Sequence, residues 1–157
     1  MTDLFIESLI ERNVKLEFSQ IGNNLSDILL GIIKKENEGF CLKEGYIKPD
    51  SCNIVSYFSG SIEDSWVSFI VIINCKIFNP AERQVVSCKV INITAAGIRG
   101  ESSTETTTPF IIFIAKDHHY TSDKYSEVNE GDTIDVTIVG IRYEVKDTYI
   151  SLLGEYI

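Results

Sequence analysis

The sequence predicts an α+β fold, an N-terminal antiparallel sheet carrying one helix and then a five-stranded β-barrel of the oligonucleotide-binding type. Three observations point there. Near the N-terminus, Ile10, Arg12, Val14, Leu16 and Phe18 alternate with charged Glu11, Lys15 and Glu17, the period of a strand. Next comes a single helical stripe, with Leu25, Ile28, Leu29, Ile32 and Ile33 at i, i+3, i+4, i+7 and i+8. Finally, from Val85 onward, short strands are separated by glycine-marked turns, through Ala96-Gly97-Ile98-Arg99 to Gly131-Asp132 and on to Gly140.

The elements follow in order. Leu4 to Phe18 reads as extended and breaks at Gly22-Asn23-Asn24. Asn23 or Asn24 can cap the helix, Lys34 and Lys35 suit its negative end, and Gly39 can stop it. The apolar stripe is expected to cover one face of a small sheet. Phe40 to Ile47 reads as a strand, Lys48-Pro49-Asp50 as a turn, Cys52 to Phe58 as a strand and Ser59-Gly60-Ser61 as a turn. Trp66 to Phe78 is the most apolar strand, ending at Asn79-Pro80. The polar stretch Pro80-Ala81-Glu82-Arg83 marks the domain boundary, giving domains 1–80 and 81–157. Five barrel strands follow: Gln84–Ile93, one starting near Gly97, Phe110–Ile114, Thr133–Tyr143 and Tyr149–Leu153. Gly100 to Thr108 is expected to be a Ser/Thr/Glu-rich loop, and Lys116 to Glu130 a polar crossover with room for a helical turn.

Composition narrows the function. The chain has 157 residues and a net charge of −9. Seven basic residues face eleven acidic ones up to Pro80, and seven face twelve after it, so the halves carry −4 and −5. Strong autonomous nucleic-acid binding needs cations that displace phosphate counterions, and this chain supplies only a local patch. A protein partner is expected to set its location. No stretch reads as a membrane helix or a secretory signal, so a cytosolic or nuclear setting is expected. Cys41, Cys52, Cys75 and Cys88 form no C-x-x-C pair and read as buried reduced thiols.

Catalytic parts are not apparent. There is no G-x-S-x-G elbow and no phosphate-binding loop, since Gly97-Ile98-Arg99-Gly100 lacks the following helix and Lys-Ser/Thr pair. His118-His119 has only Asp117 and Asp123 as neighbouring ligands, so no metal or cofactor is expected and an exposed polar loop is the simpler reading. A barrel that binds single-stranded RNA would use aromatic stacking and isolated cations. The candidates are Arg99, His119, Tyr120, Arg142 and Lys146, with Phe110, Phe113 and Tyr143 beside them. One of Phe110 and Phe113 is expected in the barrel core.

Several segments taken together resemble the seventh subunit of eukaryotic RNA polymerase II and its archaeal, polymerase I and III and large-DNA-virus relatives. Ile77-Phe78-Asn79-Pro80 followed by Val85-Val86 is similar to the joint between that family's tip and barrel domains. Asn92 to Ile98 resembles the step between its first two barrel strands, and Ile138 to Arg142 with Ser151 to Tyr156 resembles its C-terminal end. Glu38-Gly39-Phe40-Cys41 and Gly45-Tyr46-Ile47 resemble the tip domain, and Gly60-Ser61-Ile62 sits at the place of its tip loop. Departures include Arg83-Gln84 where the family has a glycine before the first barrel strand.

The resemblance implies a non-catalytic stalk subunit of a DNA-dependent RNA polymerase. Its tip would dock on the core near the clamp through Tyr57, Phe58, Gly60 and Ile62, and its barrel would face nascent RNA. The implied partners are the polymerase core subunits, a fourth-subunit stalk partner and, weakly, single-stranded RNA. The location would be nuclear, or a cytoplasmic viral factory and virion for a viral protein; abundant isoleucine and eroded motifs suit either a large DNA virus or a divergent eukaryote. Two rivals stay open: a free-standing RNA-binding protein such as a translation factor, and a small hydrolase using His118 or His119.

Overall fold

The computed structural model describes residues 4–102, 108–116 and 123–157. In chain order the elements are β1 (Ile6–Glu17), a 3-10 turn (Phe18–Gln20), α1 (Leu25–Asn37), β2 (Cys41–Leu42), β3 (Gly45–Ile47), β4 (Asn53–Glu63) and β5 (Trp66–Phe78). They continue with β6 (Val85–Ile93), β7 (Gly97–Ser102), β8 (Phe110–Ala115), the single turn α2 (Asp123–Ser126), β9 (Thr133–Arg142) and β10 (Ile150–Tyr156). The chain divides into two compact units: Met1–Phe40 with Ile47–Phe78, and Cys41–Tyr46 with Asn79–Ile157.

The first unit is built on β5. Val67, Phe69, Val71, Ile73, Cys75 and Ile77 alternate along it and are all buried. β1 lies antiparallel on one side, from Ile6 opposite Ile77 to Glu17 opposite Trp66, without a slip. Its Ile10, Val14 and Leu16 therefore join the same buried face. The helix covers that face with Leu29 and Ile33, four residues apart. Asn37, one turn further, is a buried amide with both functions used. Its Oδ1 accepts from Arg12 Nε at 3.1 Å, and its Nδ2 donates to the Ile33 carbonyl at 2.8 Å. A buried polar group in that state costs little, whereas an unmet one would be expensive. Gly39, at φ +80, takes the left-handed conformation that ends the helix, and its N–H bonds the Ile47 carbonyl at 2.9 Å. Asn24 occupies the N-cap position but makes no side-chain cap hydrogen bond.

The other side of β5 pairs with β4, and here the structure departs from expectation. β4 does not turn at Ser59-Gly60-Ser61. It runs through to Glu63 and absorbs those residues as a bulge, the register shifting between Ser59 and Ile62. Ser68 Oγ fills the gap, accepting from the Ser61 N–H at 2.9 Å and donating to the Ser61 carbonyl at 3.2 Å. Gly60 is required because a Cβ would meet that Oγ at 2.9 Å. The reversal comes at Asp64-Ser65 instead, with Asp64 at φ 53.

The second unit is a closed barrel in the order β10-β8-β7-β6-β9, with β8 and β10 parallel and the other pairs antiparallel. Its core is Val86, Cys88, Val90, Ile98, Phe110, Ile112, Ile114, Val136, Ile138, Ile150 and Leu152. Glycine makes room for it. A Cβ on Gly154 would lie 2.3 Å from Val136 Cγ1 and 2.6 Å from Ile112 Cδ1, and one on Gly100 would lie 2.8 Å from Cys88 Sγ. The expected strand over Phe40–Ile47 is a tight hairpin, Cys41 pairing with Tyr46 and Leu42 with Gly45. The Cys41 N–H bonds the Asp147 carbonyl and the Cys41 carbonyl accepts from Lys146 N–H, both at 2.7 Å. β7 also continues two residues beyond Gly100, into the stretch expected to be a loop.

Cys88 gives the barrel a pH-dependent stability. Burial, and secondarily Asp135, push its thiol up to about 12. In the unfolded chain a thiol ionises near ~8.5. Between those values the folded state keeps a proton that the unfolded state has lost, so stability is full below the lower value and falls as pH rises toward the upper one. Urea unfolding from pH 8 to 11 is expected to show that decline, and Cys88→Ala should make it shallower. An identical pH slope in the variant would show that Cys88 does not carry the effect.

Candidate nucleic-acid interface

The barrel's outer face is set by strand parity. Along β8, Phe110, Ile112 and Ile114 point inward, so Ile111, Phe113 and Ala115 point outward. Of the two phenylalanines, Phe110 is the core residue and Phe113 is 37% exposed. The ladders place Arg99 of β7 opposite Phe113, Phe113 opposite Leu153 of β10, and Leu153 opposite Gly140 of β9. Two residues along, Glu101, Ile111, Ser151 and Arg142 form a parallel row. The register thus brings Arg99 and Arg142 onto one outer face with Phe113 and Leu153 between them.

Glycine shapes this surface. Gly97, at φ +158, lies under Phe113: a Cβ there would meet Phe113 Cζ at 2.8 Å and the Ile114 carbonyl oxygen at 2.2 Å. The ring covers bare backbone. At Gly140 a Cβ would meet Leu153 Cβ at 3.3 Å, so its absence leaves a groove of about 330 Å³ lined by Gly140, Ile141, Arg142, Ser151, Leu152 and Leu153. A cationic, partly apolar strip of this kind can contact phosphates and offer one aromatic ring to a base. Another flank of the barrel has the opposite character. Asp135 accepts from Ser87 Oγ at 2.7 Å, and Asp132 and Glu127 line a separate hollow near Tyr156.

The remaining candidates are dispersed. Lys146 lies in the β9–β10 turn at φ 78, and its N–H is committed to Cys41. Tyr143 is half-buried, its hydroxyl donating to the Lys43 carbonyl at 3.4 Å, and burial raises its phenol above the ordinary range. His119 and Tyr120 lie outside the described residues, as does His118. Leu153 went unnoticed in the sequence, although its outward parity with Ser151 along β10 was the available signal.

In the first unit, the four residues expected to dock do not share a face. Tyr57 is opposite Val71 and Ile62 opposite Val67, on the face that carries the helix. Tyr57 also meets the Phe69 ring edge-on at 6.4 Å. Phe58, 52% exposed, lies opposite Ile70 on the other face, and the Cβ direction of Gly60 also points toward Ser68 and Ile70. That other face carries half-buried Ile70 and Ile72 and exposed Leu9. Among the described residues no group of three or more His, Cys, Asp or Glu side chains could hold a metal ion. Cys52 and Cys75 are buried neighbours. The hydrogen bond between their thiols, followed by burial, raises the pKa of Cys52 and keeps it protonated.

No protein-family model matches the chain. It is similar to DNA-directed RNA polymerase II subunit RPB7 of Glycine max, 23% identical over 178 aligned positions that cover 97% of this chain and 98% of the relative. DNA-directed RNA polymerase II subunit 7 of Arabidopsis thaliana is 22% identical over the same coverage. A solved structure of an uncharacterized protein from Methanocaldococcus jannaschii covers 50% of the chain, with 16% identity and a TM-score of 0.39, too low to inform fold or function. The similarity to the polymerase subunits supports a distant relationship that runs the length of the chain.

Gly97 supplies a test of this surface. Gly97→Ala must displace the β8 backbone at Ile114 as well as the Phe113 ring, an overpacking cost of about 1–3 kcal/mol. Chemical denaturation should read that loss, and exposure of Phe113 should change with it. A variant as stable as the parent would show that the close approach of Gly97 to β8 is not made.

Proposed function

We propose that the chain is a non-catalytic stalk subunit of a DNA-dependent RNA polymerase. Residues 1–80 dock on the polymerase core near the clamp, and residues 81–157 present the barrel to nascent RNA. One observation carries this reading: the similarity to two plant RNA polymerase II seventh subunits spans 97% of the chain, both units included. The closed barrel, with its strip of Arg99, Phe113, Leu153 and Arg142, is compatible with it. The partners are core subunits and a fourth-subunit stalk partner, and the location is the nucleus. The net charge of −9 fits a subunit held by protein contacts, because high effective concentration removes the need for strong intrinsic RNA affinity.

Two measurements check this reading. For docking, Phe58 on the sheet face without the helix is the informative position among Tyr57, Phe58, Gly60 and Ile62. Phe58→Asp would bury an unpaired charge in the contact, at a cost of roughly several kcal/mol. Tagged wild-type chain should co-purify with the large polymerase subunits and the variant should not; a folded variant retained at wild-type level would remove Phe58 from the interface.

For RNA, the isolated protein should bind a single-stranded oligonucleotide weakly and with strong salt dependence. Arg99→Ala and Arg142→Ala should each reduce the log-log salt slope by roughly 0.7. Phe113→Ala should lose about 1–3 kcal/mol of stacking. Tight, salt-insensitive binding would speak against the barrel strip, as would crosslinks confined to the first 80 residues.

A further inference from the structure

Trp66, the chain's single tryptophan, opens β5 beside the Asp64-Ser65 reversal. The sheet register places it between two carboxylates, opposite Glu17 on β1 and opposite Glu63 on β4. The indole is 42% exposed and both glutamates are exposed. Asp64, Glu63, Lys15 and Trp66 line a cleft of about 210 Å³ there. Glu63 and Asp64 thus share the cleft with the ring and one ammonium, while Glu17 flanks the ring from β1, its side chain also accepting from the Gln20 N–H of the 3-10 turn.

This combination has a defined chemical preference. The face of an indole attracts a cation through its quadrupole. Flanking carboxylates accept the paired N–H groups of a guanidinium in a planar fork, which an ammonium cannot match. Tryptophan and arginine are also the residues that most often anchor protein interfaces.

We propose that this end of the sheet is an interaction surface that receives an arginine side chain from a basic protein partner, the guanidinium lying on Trp66 between Glu17 and Glu63. The proposal rests on the reading of the first unit as the docking element, and it names the partner's chemistry: a basic surface bearing arginine.

Trp66 reports on its own site. Titrating the full chain with a hexa-arginine peptide should give a saturable change in tryptophan fluorescence. Glu17→Gln/Glu63→Gln should bind roughly tenfold more weakly, the effect of removing two close charge contacts in a solvated site. Glu127→Gln/Glu155→Gln, with the same change in net charge on the second unit, should bind as the parent does. Equal affinity in the two double variants, or no saturable Trp66 signal, would overturn the proposal. The docking role is read separately by co-purification. If wild type brings down the large polymerase subunits and Glu17→Gln/Glu63→Gln does so equally well, this end of the sheet is not the docking contact. If wild type brings down none, the polymerase reading fails, while the peptide titration still decides the arginine site.

Discussion

The parallel ladder between β8 and β10 is the contact on which the second unit depends. It runs from Phe110 opposite Ile150 to Ile114 opposite Gly154, and it joins the two ends of a sheet that would otherwise be open. Without it, both strands would present unpaired backbone to solvent. A parallel neighbour cannot be reached by a hairpin, so the chain must leave β8, add β9 beside β6, and return. The residues that permit closure are small. Gly154 faces inward where Val136 and Ile112 already fill the space, and Gly100 does the same against Cys88. Two inward positions are glycine because the branched side chains around them already fill the interior.

Closure also distributes the charge. Each strand contributes alternate residues to the outside, and the ladders collect Arg99, Phe113, Leu153 and Arg142 into neighbouring rows. Asp135 emerges elsewhere on the barrel and is engaged by Ser87. An acidic chain can thus carry a small cationic strip without any basic run in its sequence. The strip is modest: two guanidinium groups and the Glu101 carboxylate lie around one exposed ring.

The first unit follows different rules. One long strand, β5, is apolar enough to be recognised without any partner, and its alternation assigns the buried face directly. The single stripe on α1 then has only one surface to cover. β4 was harder to read. Its Ser59-Gly60-Ser61 segment has turn composition, yet the glycine serves a bulge, because Ser68 on the opposite strand occupies the place of a Cβ and bonds the displaced backbone. Nothing local separates those two uses of glycine; the partner strand decides. The hairpin at Cys41–Tyr46 was hidden similarly, since its backbone is satisfied by Lys146 and Asp147, about a hundred residues away in the chain.

Features set by neighbours a few residues apart are legible in the chain alone. The alternation in β1 and β5, the stripe of α1, the five barrel strands and the domain-scale charge all follow from local spacing and composition, as do the positions of most elements. Tertiary structure alone decided what depends on register. It chose Phe110 for the core and Phe113 for the surface, joined Arg99 to Arg142 across three ladders, parted Tyr57 from Phe58 on opposite faces, and set Trp66 between two glutamates. The physical reason is the two-residue period of a strand. A shift of one residue leaves composition and propensity unchanged, yet it moves every side chain to the other face, and only the pairing partner fixes which is realised.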